Sequence, residues 1–193
     1  MSALTLITAP TVEPLTTAEA KTHLRVTASD DDTYISNLIL SARKLTEEIT
    51  NRALINQTWD YFIDYFPKND FISFPKANIS SVTYVKYTDK DLSEATLAAS
   101  EYFVDTDSLP GRLVLNYGKT WPSFTPKPVN AVRIRFVAGY GAAATAVPEG
   151  IKQAMLLMIL HWYENREAVS EAKLDYTPFA IEHLLWPERV KTF

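Results

Sequence analysis

The sequence predicts an α+β fold: a helical bundle formed by N- and C-terminal helices, with an inserted antiparallel β region. Three observations predict it. Residues 32–51 carry apolar side chains at the helical period. Residues 148–166 open with a proline and run apolar nearly all round between Ala154 and Leu160. Between these stretches, residues 57–66 and 131–138 alternate at period two, as half-buried strands do. The expected organisation is a helical core from 1–53 and 142–193, with the β region at 54–141.

Composition narrows the function. The 193 residues are 47% hydrophobic and 22% charged, enough for a real core. A net charge of -4 argues against gripping a nucleic-acid backbone, which calls for a basic excess. There is no cysteine, hence no disulfide, thiolate nucleophile or Cys-ligated zinc. The first 15 residues lack a basic, then apolar, signal pattern. The longest apolar run, Ala154–Leu160, falls far short of the roughly 20 residues that cross a membrane. The chain reads as soluble and made in the cytoplasm.

The elements follow in order. Residues 1–14 look extended, and Pro14 turns Glu13 away from helix. Thr16 or Thr17 caps a short helix over 18–24, and Thr16 with Glu19 has capping-box form. Leu15, Ala20 and Leu24 are expected inside. The triplet Asp30-Asp31-Asp32 reads as the start of the next helix, one Asp capping and the others in its first turn. It lacks the later Gly and Glu of a calcium loop. In helix 32–51, Tyr34, Ile35, Leu38, Ile39, Ala42, Leu45 and Ile49 share a face. Glu47 or Glu48 can pair with Arg43 or Lys44 across a helical turn.

In 57–66, Trp59, Tyr61, Ile63 and Tyr65 take one face, and Asp60, Phe62, Asp64 and Phe66 the other. Strands are also expected at 71–74 and 79–88, then a hairpin of 102–105 and 112–116 around Ser108-Leu109-Pro110-Gly111. In 131–138, Val132, Ile134 and Phe136 point inward and Arg133 and Arg135 outward. A Gly-Tyr-Gly turn at 139–141 leads to helix 148–166, and a last short helix is expected over 178–186, stopped by Pro187.

No catalytic set assembles, and no cofactor or metal is implied. His161 and Glu164 share a helix face, but the further carboxylates of a di-metal bundle are missing. The pairs Asp60/Asp64 and Asp105/Asp107 suit a glycosidase scheme only if a sugar cleft surrounds them. Lys86, Lys90, Arg133 and Arg135 with Tyr61, Tyr65, Tyr84 and Tyr87 imitate a stacking platform, but read first as strand residues. The expectation is no enzyme.

Two stretches carry a resemblance. The run "EPLTTAEAKTHLRV", the acidic step, the helix ending "TNRA" and the start "QTW" form one ordered set. "FVAGYGAAATAVPEGIKQAMLLMILHWYENRE", residues 136–167, forms another. Together they resemble the head–tail connector (adaptor or head-completion) proteins of tailed phages. The resemblance covers the two ends of the chain better than the β region. It implies a homo-oligomeric ring, typically a dodecamer, under the portal protein of a phage or prophage. The ring extends the DNA channel and docks a neck stopper or tail protein. The location implied is the virion neck, with host cytoplasm during assembly and no membrane. DNA passes without sequence-specific binding, and an acidic wall avoids sticking. The alternatives are another neck or tail-completion protein, a DNA-packaging accessory protein, or a small hydrolase. The expected subunit interface uses Tyr34, Leu38, Arg43, Glu47, Met155, Met158 and Trp162. The expected portal contact uses Phe179, Leu184, Leu185 and Trp186. The ends 1–14 and 168–193 are expected to order on a partner, and removing 173–193 to spare the fold.

Overall fold

The computed structural model describes residues 2–166 and 179–190. The chain divides into two units. One is helical, from 11–55 with the described residues of 141–190; the other is β, from 2–10 with 56–140.

In the helical unit, α1 (Thr17–Leu24) begins with the expected capping box. The Glu19 amide donates to Thr16 Oγ1 (3.2 Å), and the Thr16 amide to the Glu19 carboxylate (2.7 Å). The Thr16 hydroxyl (2.6 Å) and then the Thr16 amide, both donating to the Glu19 carboxylate, hold that carboxyl below its usual range. Arg25 closes α1 in the left-handed region, φ 58°. Helix α2 (Asp32–Thr50) buries Ile35, Leu38, Ile39 and Ala42 on the stripe its spacing predicts, then ends at left-handed Asn51. Helix α3 (Glu149–Glu164) buries Ile151, Ala154, Met155, Met158 and Ile159 and packs on α2. Each buried Ile, Leu or Met among them contributes about 1.5–3 kcal/mol on leaving water. Helix α4 (Phe179–Leu185) packs on α3 through buried Ile181 and Leu185.

In the β unit, β1 (Ser2–Thr8), β2 (Gln57–Ile63), β8 (Val132–Ala138), β4 (Ile79–Thr88) and β5 (Glu94–Leu97) form an antiparallel five-stranded sheet in the order β1-β2-β8-β4-β5. A second sheet has the order β3-β7-β6, from β3 (Phe71–Ser73), β7 (Arg112–Leu115) and β6 (Tyr102–Asp105). The register Trp59↔Phe136, Tyr61↔Ile134, Ile63↔Val132 sets the apolar faces together, and Asp60 lies opposite Arg135. Phe74, just after β3, meets Phe136 at 4.8 Å between ring centroids. Two glycines are required. A Cβ at Gly111 would lie 2.4 Å from Ile79 Cγ1; one at Gly139 (φ 153°) would lie 2.5 Å from the Asn56 nitrogen.

Several expectations need correcting. The fold is not a helical bundle from the terminal helices with a β insert. It combines, among the described residues, four helices with two antiparallel sheets, and the sheets carry their own core. The expected helical region 1–53 contributes β1, because Ser2–Thr8, expected merely to be extended, finds an open partner edge in β2. Strand β5 lies outside the sequence expectations, because Glu94-Ala95-Thr96-Leu97 is only four residues long and buries Leu97 alone; cross-strand pairing to β4 makes it. Helix α4 ends at Leu185, one residue short of the expected bound, and Pro187 sits in the 3-10 turn that follows, Trp186–Glu188. Asp31 holds the N-cap position but makes no side-chain cap bond. Its carboxylate accepts instead from Tyr163 Oη (2.5 Å) and Arg166 Nη2 (2.8 Å), and a charged donor outcompetes a backbone amide.

Candidate interaction surfaces

Helix α2 carries a buried ion-pair network. Arg43 donates from Nε to Glu13 (2.7 Å) and from Nη1 to Glu47 (2.9 Å), and Glu47 also accepts the Leu54 amide (2.9 Å). The i,i+4 spacing predicts the Arg43–Glu47 pair, but not its burial, with Arg43 only 5% exposed. Leu38, Met155 and Met158 are buried in the same unit. Of the expected interface residues, these five therefore lie inside the single chain, while Tyr34 and Trp162 are half-buried. Tyr34 Oη donates to the Trp162 carbonyl at 3.4 Å.

A clasp joins the start of α2 to the end of α3. The Arg166 guanidinium lies 4.7 Å from both the Tyr34 and Tyr163 ring centroids and also bonds Asp31. Hydrogen bonds from Tyr163 and Arg166 hold the Asp31 carboxyl low, and the bond to Asp31 raises the Tyr163 phenol. Sequence spacing shows none of this, because Asp31 and Arg166 are 135 residues apart.

The expected portal-contact residues divide. Leu185 is buried, Leu184 half-buried, and Trp186 66% exposed. The Phe179 side chain and residues 167–178 and 191–193 lie outside the described residues. Trp186 stands beside a groove of about 380 Å³ whose lining includes Glu48, Ile49, Glu182 and Arg189. Just after the 3-10 turn, the Val190 amide donates to the Thr50 carbonyl (3.1 Å), and Arg52 Nε to the Glu188 carbonyl (2.7 Å). The tail is thus fastened to the helical unit. Its removal from 173 onward would strip Ile181 and Leu185 from the core, against the expectation that it spares the fold.

In the β unit, the acids weighed for catalysis hold the framework. Asp60 takes a two-pronged bond from Arg135 (2.7 and 2.8 Å). Asp64 accepts the Asn130 amide. Asp105 accepts from Ser108 and Arg112 and fixes the β6–β7 turn. The Ser108 and Arg112 bonds drive the Asp105 carboxyl far below the usual carboxylate range. Lys86, Arg133 and Arg135 surround the Tyr84 ring at 5.1–5.5 Å, and each also pairs with Glu94 or Asp60. A face whose cations are already paired is not built to take phosphates. Lys90 pairs with Asp91 on the surface. His161 contacts Asn165 within its own helix turn, and no group of three or more possible metal ligands occurs among the described residues. No helix among them is long and apolar enough to cross a membrane.

With this geometry in view, the chain can be compared with known proteins. The family model described as "HCP: Head completion protein" matches residues 13–173. No curated protein matches. The chain is similar to three solved structures of gene transfer agent (GTA) particles. A chain in "Virion of native gene transfer agent (GTA) particle" is 27% identical, with TM-score 0.80 and coverage of 98% of this chain and 96% of that one. A chain in "Neck of native GTA particle computed with C12 symmetry" is 25% identical, with TM-score 0.76 and coverage of 99% and 97%. A chain in "Neck of empty GTA particle computed with C6 symmetry" shares the fold at TM-score 0.83, with 24% identity and coverage of 99% and 97%.

Proposed function

The chain belongs to the head completion protein family, a structural head–tail connector of a phage-like particle, and from that premise we propose that it acts as a ring beneath the portal. In this reading identical copies close around the axis, extend the DNA channel and offer a platform to the next neck or tail protein. The observation that carries it is the family match over 13–173, together with likeness along nearly the whole chain to a protein of an assembled particle. A neck computed with C12 symmetry supports repeated copies around an axis. Closure then requires a heterologous contact, in which two different surfaces of each copy meet.

Helices α2 and α3 are the proposed wall between subunits. Tyr34 and Trp162 reach its surface, while Leu38, Arg43, Glu47, Met155 and Met158 hold its shape from within. The α4 end, with exposed Trp186 beside half-buried Leu184, is the proposed portal contact, and buried Leu185 anchors it. Phe179 belongs to the same proposal by position in α4. DNA passes through the ring without sequence-specific binding, in line with a net charge of -4.

The test is the mass of the complex formed when purified protein is mixed with portal rings of the same particle. One copy per portal subunit is expected. No association across salt and concentration would overturn the portal reading in favour of another neck role. Trp186→Ala is expected to weaken portal binding without changing the thermal midpoint; unchanged binding removes α4 from the contact.

A further inference from the structure

Helix α3 is apolar nearly all round, and one side of it is only partly covered among the described residues. Leu156, Leu157 and Leu160 remain half-buried, and they share an outward stripe with exposed Gln153 and Glu164. Such a stripe leaves apolar area in water unless a neighbour covers it. Glu164 is an exposed acid at the C-terminal end of a helix, where the dipole disfavours negative charge. No ion pair to it occurs among the described residues.

Elsewhere on the same unit, α1 presents a shallow groove of about 520 Å³. Its lining is Ala18, Lys21, Thr22, Arg25, Val26 and Thr27, with Lys21 already paired to Asp32. Arg25 is exposed, makes no ion pair among the described residues, and adopts φ 58°, a region glycine or asparagine usually takes. The two surfaces complement each other. One is a half-buried leucine stripe ending in an acid without an ion pair; the other is a basic groove in which Lys21 is paired and Arg25 has no ion pair among the described residues.

We propose that the outer stripe of α3 in one copy seats in the α1 groove of the next, with Glu164 against Arg25. This rests on the ring reading and names its contact. The two surfaces differ, so the contact is heterologous and repeats around a closed axis. It buries the leucine stripe and partners both charges in one step.

The test is a charge exchange in the full-length protein, read as copies retained per portal ring by native mass measurement. Arg25→Glu and Glu164→Arg each place like charges at every subunit junction. Each is expected to weaken ring completion by about tenfold or more. The double exchange restores an opposite pair and is expected to recover the wild-type count. Both residues are exposed, so thermal midpoints should stay close to wild type, and Arg25→Gln offers a milder variant should the reversal disturb α1. Single variants that fill the ring like wild type, or a double variant as defective as either single, overturn the proposal. Wild-type protein that fails to bind portal rings overturns the ring reading instead.

Discussion

The helical and β units place their charges in opposite ways. The helical unit buries them: Arg43, Glu47, Arg52 and Lys152 are each under 9% exposed. The β unit spreads them over a sheet face, where Lys86, Arg133 and Arg135 share Tyr84, Glu94 and Asp60 with solvent nearby. The same ion-pair chemistry therefore carries different consequences. A buried pair is costly to break, because the remaining partner is left uncompensated, whereas a surface network is individually cheap. A single broken pair should therefore cost the helical unit more than the sheet face.

Breaking the buried side of this comparison should give the largest effect. Arg43→Ala leaves Glu13 and Glu47 facing each other without their cation, and denaturant unfolding should show a loss of about 3–5 kcal/mol. Gly139→Ala tests the β unit by packing instead of charge. The new Cβ meets backbone at Asn56, and a loss of about 1–3 kcal/mol is expected in the same measurement. Asp60→Asn sharpens the contrast, because Asp60 is the one member of the sheet network that is itself buried, at 3% exposure. It should cost about 1.5–3 kcal/mol, while Lys86→Ala on the same face should cost about 1 kcal/mol or less. The smallest effect is one of pH. The Asp105 carboxyl is held low by Ser108 and then Arg112, so its stabilisation is complete above the ordinary carboxylate value of 3.8 and fades as pH falls below it. Amide exchange should show the β6–β7 turn loosening as pH falls below that value, and Asp105→Asn should remove that pH dependence.

How much of this the sequence disclosed follows from the range of each interaction. The α1 capping box, the α2 stripe and the face assignment of β2 and β8 involve neighbours within one element, so spacing reveals them. The Asp31–Tyr163–Arg166 clasp, the Arg135–Asp60 fork and the place of β1 beside β2 join residues far apart in the chain, and no local period encodes them. The burial of Arg43 was equally hidden, because a charged residue on a helix reads as solvated until its partners are located. Trp186 stood out as an apolar residue near a chain end, but only the fold separates it from Leu185, which faces inward.

Among the described residues the chain passes between its two units after residues 10, 55 and 140. Strand β1 is severed in sequence from every strand it sits with, since α1 and α2 intervene before β2. Cut the chain after Pro10, and residues 2–10 become a ligand while the remainder becomes its receptor. The groove awaiting that peptide would be the bare edge of β2, with a register already written from Ser2↔Ile63 to Leu6↔Trp59. A synthetic peptide of residues 2–10, added to a chain so cut, would read out whether the edge of β2 stands correctly formed.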